Sequence, residues 1–368
     1  MHAEQRRRAH DLLQRQLVDR ALFANPYTIT WLTGFAAPLQ LGLGPFAGGP
    51  ALVWYAAGEF SLIVLDTADT TGVSLPVIRY AGNTVQTPIR SAANLAKIVR
   101  DLLGRAGAGQ PGVELQHLPA SLLPAGTPAR SVDGWLDPLR MQKTAEELEK
   151  LRRAFALTDL AHAAARRAVH VGAREIDVWC AAHTAVQQAA GARIPFGNDC
   201  VVSYRQDNIG GWPLDLELHP GDSLMVDLST RVDGYWSDSC ATYYAGRPGE
   251  KQKAMHRVAS QALELAISLV RPGAVASEID RRARRFIADA GYPVYPHHTG
   301  HGVGVSPHEE PRIVPYNDTA LEAGMVLMLE PGIYFPGEAA VRLEDALLVT
   351  PDGAEILTHH DKSLHSTE

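Results

Sequence analysis

His298-Thr-Gly-His-Gly-Val-Gly-Val-Ser-Pro-His-Glu-Glu-Pro311 decides how the rest of the chain is read. It sets His301 between two glycines, which leave the backbone room to approach a ligand, and follows it seven positions later with His308. Four acids in apolar surroundings flank the run. Asp227 lies in Ser223-Leu-Met-Val-Asp-Leu-Ser229 and Asp238 in Tyr235-Trp-Ser-Asp-Ser-Cys-Ala-Thr-Tyr-Tyr244. Glu330 ends Met325-Val-Leu-Met-Leu-Glu330, and Glu344 stands inside Ala340-Val-Arg-Leu-Glu-Asp-Ala-Leu-Leu-Val349. A buried carboxylate must have a partner. Imidazole nitrogen and carboxylate oxygen suit divalent first-row cations, and the four negative charges of this set would nearly neutralise two of them.

Val232-Asp-Gly234 is a hairpin turn signal, and positions 227 and 238 lie symmetrically about it. Asp227 and Asp238 are therefore expected as cross-strand partners with Cβ atoms about 5 Å apart. Like charges directly opposite destabilise a sheet unless something neutralises them, whereas metal ions about 3.5–4 Å apart draw carboxylates together in this way. Arg342 shares a strand face with Glu344, placed to orient an aspartate ligand or to meet a substrate carboxylate. Cys240 is expected on the face of Asp238, as a packed thiol or as a soft accessory ligand.

In these motifs the chain resembles the pita-bread metallopeptidases, the family of methionine aminopeptidase, aminopeptidase P, prolidase and the metal-free creatinase. The resemblance covers nearly the whole chain. It implies an α+β protein, a creatinase-like amino-terminal α/β domain followed by a pita-bread catalytic domain. It implies Asp227, Asp238, His301, Glu330 and Glu344 as metal ligands, with Asp238 and Glu344 bridging two ions. Glu330 would also accept a proton, His308 would contact the peptide or the oxyanion, and His297 and Arg342 would bind substrate. Two departures stand out. The loop Ser203-Tyr-Arg-Gln-Asp-Asn-Ile-Gly-Gly-Trp-Pro213 lacks the histidine that the family carries near the position of Gly210, and Arg205 is its one basic residue. After Asp238, where the family often continues x-Thr-Arg-Thr, this chain has Ser-Cys-Ala-Thr242.

The domain boundary reads clearly. Pro- and Gly-rich sequence runs to Pro138, and Thr144-Ala-Glu-Glu147 is a capping box ahead of a long helix. Domains are expected at residues 1–140 and 141–368. In the first, helices are expected near Ala9 to Val18 and Ala92 to Leu103, with strands at Ala21 to Ala24, Ala51 to Tyr55 and Ser61 to Leu65 in a mixed sheet. In the second, helices are expected at Ile176 to Ala189, Glu250 to Val270 and Ser277 to Ala290. With 46% hydrophobic residues and a net charge of −7, the chain has the composition of a globular protein and disfavours nucleic acid and anionic membranes as partners. No stretch has the roughly 20 apolar residues of a membrane span. Three cysteines and no secretory pattern at the amino terminus lead to the expectation of a cytoplasmic protein. The apolar, Gly- and Pro-rich stretch from Gly34 to Pro50 is expected to pack within its own domain or to make a homodimer interface.

The creatinase-like first domain separates this chain from methionine aminopeptidase, and the full metal shell separates it from creatinase. The expected activity is hydrolysis of the bond between an amino-terminal residue and proline in small peptides. A hydroxide bridging two divalent ions (Mn, Co, Zn or Fe) would attack the carbonyl. The missing loop histidine leaves a second expectation open, a metal-containing family member with weak or altered activity, or a binding or scaffold role.

Overall fold

The computed structural model describes residues 2–37, 48–88, 90–105, 109–205 and 209–364. The chain separates into two compact units, Met1–Arg140 and Met141–Glu368. The stretch expected to form the homodimer contact, including Leu41 and Phe46, lies largely outside the described residues.

In the first unit a six-stranded mixed sheet runs in the order Val77–Tyr80, Glu59–Leu65, Leu52–Ala56, Arg20–Phe23, Gly112–Val113, Arg130–Ser131. Leu22, Trp54, Ile63 and Tyr80 form its core with Leu95 and Val99 of the helix Ser91–Leu103. The first helix is Ala3–Arg15, displaced from the expected Ala9 to Val18. Gln5, Ala9 and Leu13 give it a buried stripe at a spacing of four. It stops early because Leu17 adopts a positive φ of 56°, with Leu17 N donating to Gln14 O and Val18 N to Leu13 O. This is a Schellman closure made without the usual glycine. A further helix, Pro26–Thr33, was not expected. Asn25 caps it by accepting from Tyr27 N at 2.9 Å, and proline occupies its first turn.

The second unit repeats one plan twice. Helices Ala145–Ala168 and Glu175–Ala190 pack on a sheet centred on Ser223–Val232, which pairs antiparallel with Cys200–Val202 and Ser239–Tyr244. Helices Glu250–Ser268 and Ala276–Asp289 then pack on a second antiparallel sheet, in the order Glu309–Ile313, Gly300–Gly302, Val326–Leu329, Asp345–Thr350, Gly353–Ile356. The first of these four helices begins at the capping box: Thr144 Oγ1 accepts from Glu147 N at 3.3 Å, and Glu147 Oε2 accepts from Thr144 N at 2.9 Å. This internal repeat is not visible in the sequence, because it is carried by the order of elements and not by similar residues. Among the described residues no helix is long and apolar enough to cross a membrane.

Candidate metal centre

Most of the site's carboxylates stand where strands break. Asp227 is inside Ser223–Val232, but its cross-strand partner is Cys240 and not Asp238. The turn is centred on Asp233-Gly234, with Val232 paired to Tyr235 and φ of 50° and 85° at the two central residues. That left-handed pair makes a two-residue hairpin turn, one residue later than the symmetry of positions 227 and 238 places it. Asp238 therefore falls opposite Ser229, whose Oγ donates to Asp238 Oδ1 at 3.0 Å. It keeps the face of Asp227 and meets it diagonally.

Glu330 and Glu344 are the pair that the register sets face to face, because Leu329 pairs with Asp345 and Gly332 with Arg342 on either side of them. Between those pairs both strands are interrupted, so Glu344 is not in the middle of a continuous strand as expected. Ala339–Arg342 and Asp345–Thr350 belong to different sheets. Pro331 has no N–H to give to the ladder. The freed amides turn elsewhere, Glu330 N to Thr299 O at 2.8 Å and Glu344 N to Cys240 O at 2.9 Å. The glycines beside His301 also work differently from expectation. A Cβ at Gly300 would collide with Met328 O, and one at Gly302 with Glu310 O. They admit neighbouring strands, not a ligand.

The result is an open cleft of about 510 Å³ lined by the five expected ligands, Asp227, Asp238, His301, Glu330 and Glu344, together with His297, His308 and Arg342. Asp238, His301 and Glu344 are buried, and each presents a ligand atom within 4.8 Å of the others. His301 Nδ1 donates to Gly302 O at 2.8 Å, so its bare Nε2 faces Asp238 Oδ2 at 3.8 Å and Glu330 Oε1 at 3.6 Å. Burial and the neighbouring His308 hold the His301 ring neutral, its pKa down to about 3. Burial, then the other acids, pushes Asp238 and Glu344 well above the usual carboxylate range. Glu330 goes the other way. Burial pushes it up, but the hydrogen bond from His298 works against burial, and the group lies at about 2. Glu344 Oε2 is buried with no hydrogen-bond partner. Acids raised by burial and by mutual repulsion, an orphaned carboxylate oxygen and an unprotonated imidazole nitrogen fit divalent cations of the Mn, Co, Fe or Zn type.

Arg342 is spent largely on holding the site. Its Nη2 donates to Asp227 Oδ2 at 2.5 Å and lies 3.3 Å from Asp199 Oδ2, while Nη1 donates to Ile209 O and to the Tyr334 hydroxyl. His297 Nε2 lies 2.9 Å from the same hydroxyl. His308 is exposed, its ring 4.1 Å from that of His301. Cys240 packs with Val201 and Met225 among buried residues, burial pushing its thiol up.

In the loop that lacks the family histidine, residues 206–208 lie outside the described set. Ile209, Gly210, Gly211 and Trp212 line the cleft. Arg205 does not replace the histidine: it pairs with Glu175 Oε2 at 2.7 Å and donates to Trp212 O. A side chain at Gly210 would collide with Asp199. Sequence reasoning passed over Asp199, Tyr334 and His298. His298 alone carried a signal, its place three residues before His301.

The chain belongs to the metallopeptidase family M24, whose model matches residues 149–351, and it is a peptidase. Its relatives include the Xaa-Pro dipeptidase of Pyrococcus furiosus, 34% identical over 236 residues that cover 64% of this chain and 68% of that one. The Xaa-Pro dipeptidase of Lactobacillus delbrueckii subsp. lactis is 30% identical over 360 residues, 96% of each chain. The crystal structure of the prolidase from Pyrococcus horikoshii matches with a TM-score of 0.84 at 25% identity, covering 98% of this chain and all of that one. The fold is accordingly a creatinase-like amino-terminal α/β domain followed by a pita-bread domain.

Proposed function

We propose that this chain hydrolyses the bond between an amino-terminal residue and proline in dipeptides or longer peptides, with two divalent ions held by Asp227, Asp238, His301, Glu330 and Glu344. The observation that carries it is the buried group Asp238, His301 and Glu344, its ligand atoms within 4.8 Å of one another on the wall of an open cleft. The ions, when bound, would polarise the scissile carbonyl and make water acidic enough to attack near neutral pH. Glu330, in its ionised state, takes up the proton released by the attacking water. His308, at the exposed rim, donates to the peptide or the developing oxyanion. Arg342 keeps Asp227 aimed into the cleft, and Trp212, 80% exposed, stands at the mouth where the side chain of a bound peptide would lie.

The proline preference rests on the named relatives. Proline release from a panel of Xaa-Pro dipeptides, with Mn, Co or Zn added to metal-stripped protein, tests it. Turnover that survives chelation, or faster cleavage of non-proline dipeptides, would overturn it. A second reading, weak or altered activity, is favoured by one observation: Arg205 is committed to Glu175, and no histidine stands in the loop from Ser203 to Pro213. The same panel separates the two.

For location we propose the cytoplasm, on the ground of three cysteines that form no disulfide. For assembly we propose a homodimer through the apolar stretch Gly34 to Pro50. Light scattering of the wild type and of a Leu41→Glu, Phe46→Glu variant decides it, since a wild type already monomeric at micromolar concentration refutes it.

A further inference from the structure

We propose that His298, which is not among the five ligands, is the positioning residue for Glu330, and that Arg312 fixes its ring in the form that does this. The proposal rests on the reading of Glu330 as ligand and proton acceptor. His298 Nε2 lies 2.7 Å from Glu330 Oε1, and Arg312 Nη2 lies 2.6 Å from His298 Nδ1. A guanidinium has five N–H donors and no acceptor, and it stays charged. His298 Nδ1 must therefore turn its lone pair to Arg312. The neutral ring then carries its proton on Nε2 and donates it to the carboxylate.

His301 is the opposite case. Its Nδ1 gives its proton to a backbone carbonyl, and its Nε2 is bare. Two histidines three residues apart are thus held in opposite tautomers by what sits at Nδ1. One offers a lone pair to a cation, the other a proton to the acid beside it.

This decides between two uses of the same cluster. His298, His301 and His308 have ligand atoms within 4.8 Å of one another, a spacing that would suit a histidine-rich ion site. The Arg312 guanidinium removes His298 from that site, because the nitrogen facing the cluster holds a proton. What His298 does instead is fix a group that is otherwise free to turn. The terminal torsion of a glutamate is broad, and the other contact at Glu330 Oε1, the bare His301 Nε2 at 3.6 Å, offers no proton. With Oε1 engaged by His298, Oε2 is left for a cation or a proton.

The test compares His298→Leu, His298→Gln and Arg312→Leu, with Mn2+ affinity of stripped protein by calorimetry, steady-state kinetics, and 15N NMR of histidine-labelled wild type. Arg312 is exposed, so its replacement leaves the core alone. Partners of this kind are worth about 10–100-fold in metal affinity or activity. His298→Leu is expected to lose that much in affinity or kcat with KM little changed, and Arg312→Leu to lose part of it. Glutamine can accept from Arg312 and donate to Glu330, so His298→Gln should recover most of the loss. In the 15N spectrum Nε2 of His298 should be protonated and Nδ1 bare. Wild-type behaviour of His298→Leu, a glutamine no better than leucine, or a bare Nε2 would each overturn the proposal. A wild type that binds no divalent ion would refute the metal reading instead, and the 15N spectrum of the metal-free protein would still decide the direction of the hydrogen bond.

Discussion

Glu344→Gln should make the metal-free protein more stable and the metal-loaded protein less so. Glu344 is 1% exposed, and its Oε2 has no hydrogen-bond partner. Ligand atoms of Asp238 and Glu344 no more than 4.8 Å apart repel by about 3.5 kcal/mol when both acids are ionised, at an effective dielectric constant of about 20. Uptake of a proton by the pair relieves part of this, which leaves about 1–3 kcal/mol for the neutral, similarly shaped glutamine to recover. At about 2–4 °C per kcal/mol for a unit of this size, Tm in chelator should rise by about 2–12 °C. Added metal reverses the order: an ion at about a thousand times its Kd stabilises the wild type by about 4 kcal/mol, and the variant, short of a ligand, gains less. The pH dependence has a definite sign. Burial and Asp238 hold the Glu344 pKa well above its ordinary 4.5 in the folded protein. Its contribution is therefore favourable below about pH 4.5 and lost as pH rises, so the advantage of the variant is widest near neutrality and closes on acidification. Scanning calorimetry of both proteins, with chelator and with Mn or Zn, makes the comparison. A variant less stable than wild type in chelator as well would show that Glu344 makes ordinary structural hydrogen bonds, and the reasoning from repulsion would fail.

Lys143 Nζ and Glu309 Oε2 meet at 2.8 Å with side chains 1% and 2% exposed, so Lys143→Met should cost about 3–5 kcal/mol by removing the cation that faces a buried carboxylate. Adding Glu309→Gln should return part of the loss, and urea unfolding within 1 kcal/mol of wild type for the single variant would count against it. His308→Ala should lower kcat by roughly tenfold or more, the low end for a transition-state donor, and normal kinetics would remove His308 from the mechanism. Gly211→His should raise kcat on an Xaa-Pro substrate with little change in KM, since a Cβ there has only Val201 at 3.2 Å and Arg205 at 3.5 Å to displace. Gly210→His must push the Asp199 side chain aside and should gain less than Gly211→His, and an unchanged kcat for Gly211→His would show that the absent ring is not what limits the rate.

The second domain was legible because its helices announce themselves by capping and period. The capping box at Thr144 and the apolar faces near Ile176, Glu250 and Ser277 each match an observed helix to within about two residues. Where the chain closes a helix on Leu17, the deciding features are backbone hydrogen bonds that local composition does not show; the helix that starts at Pro26 did carry a local signal, Asn25 followed by proline, that was passed over. The residues around the cleft were legible for a different reason, since charged and imidazole side chains inside apolar strands must be explained by something. Their geometry was not. A shift of one residue in the centre of the Asp233-Gly234 turn moves every pairing between those strands, and turn signals of three residues do not resolve it. His298 stood in plain view three residues before His301, but its role rests on Arg312 and Glu330 meeting its two ring nitrogens, and that meeting is made by the fold.

Asp227 and Asp238 come from the first of the two repeated halves, and His301, Glu330 and Glu344 from the second. On a growing polypeptide the first pair is made early, in a half-domain that holds two of the acids and not His301. Glu344 reaches Cys240 only after the second sheet has been synthesised. On the proposed ligand set the ion pocket would stay incomplete until Glu344 has emerged, so ions would be taken up after most of the second half is made and would not guide its synthesis. Scarcity of metal during expression should leave the yield of folded chains intact and lower only the fraction that is charged with ions.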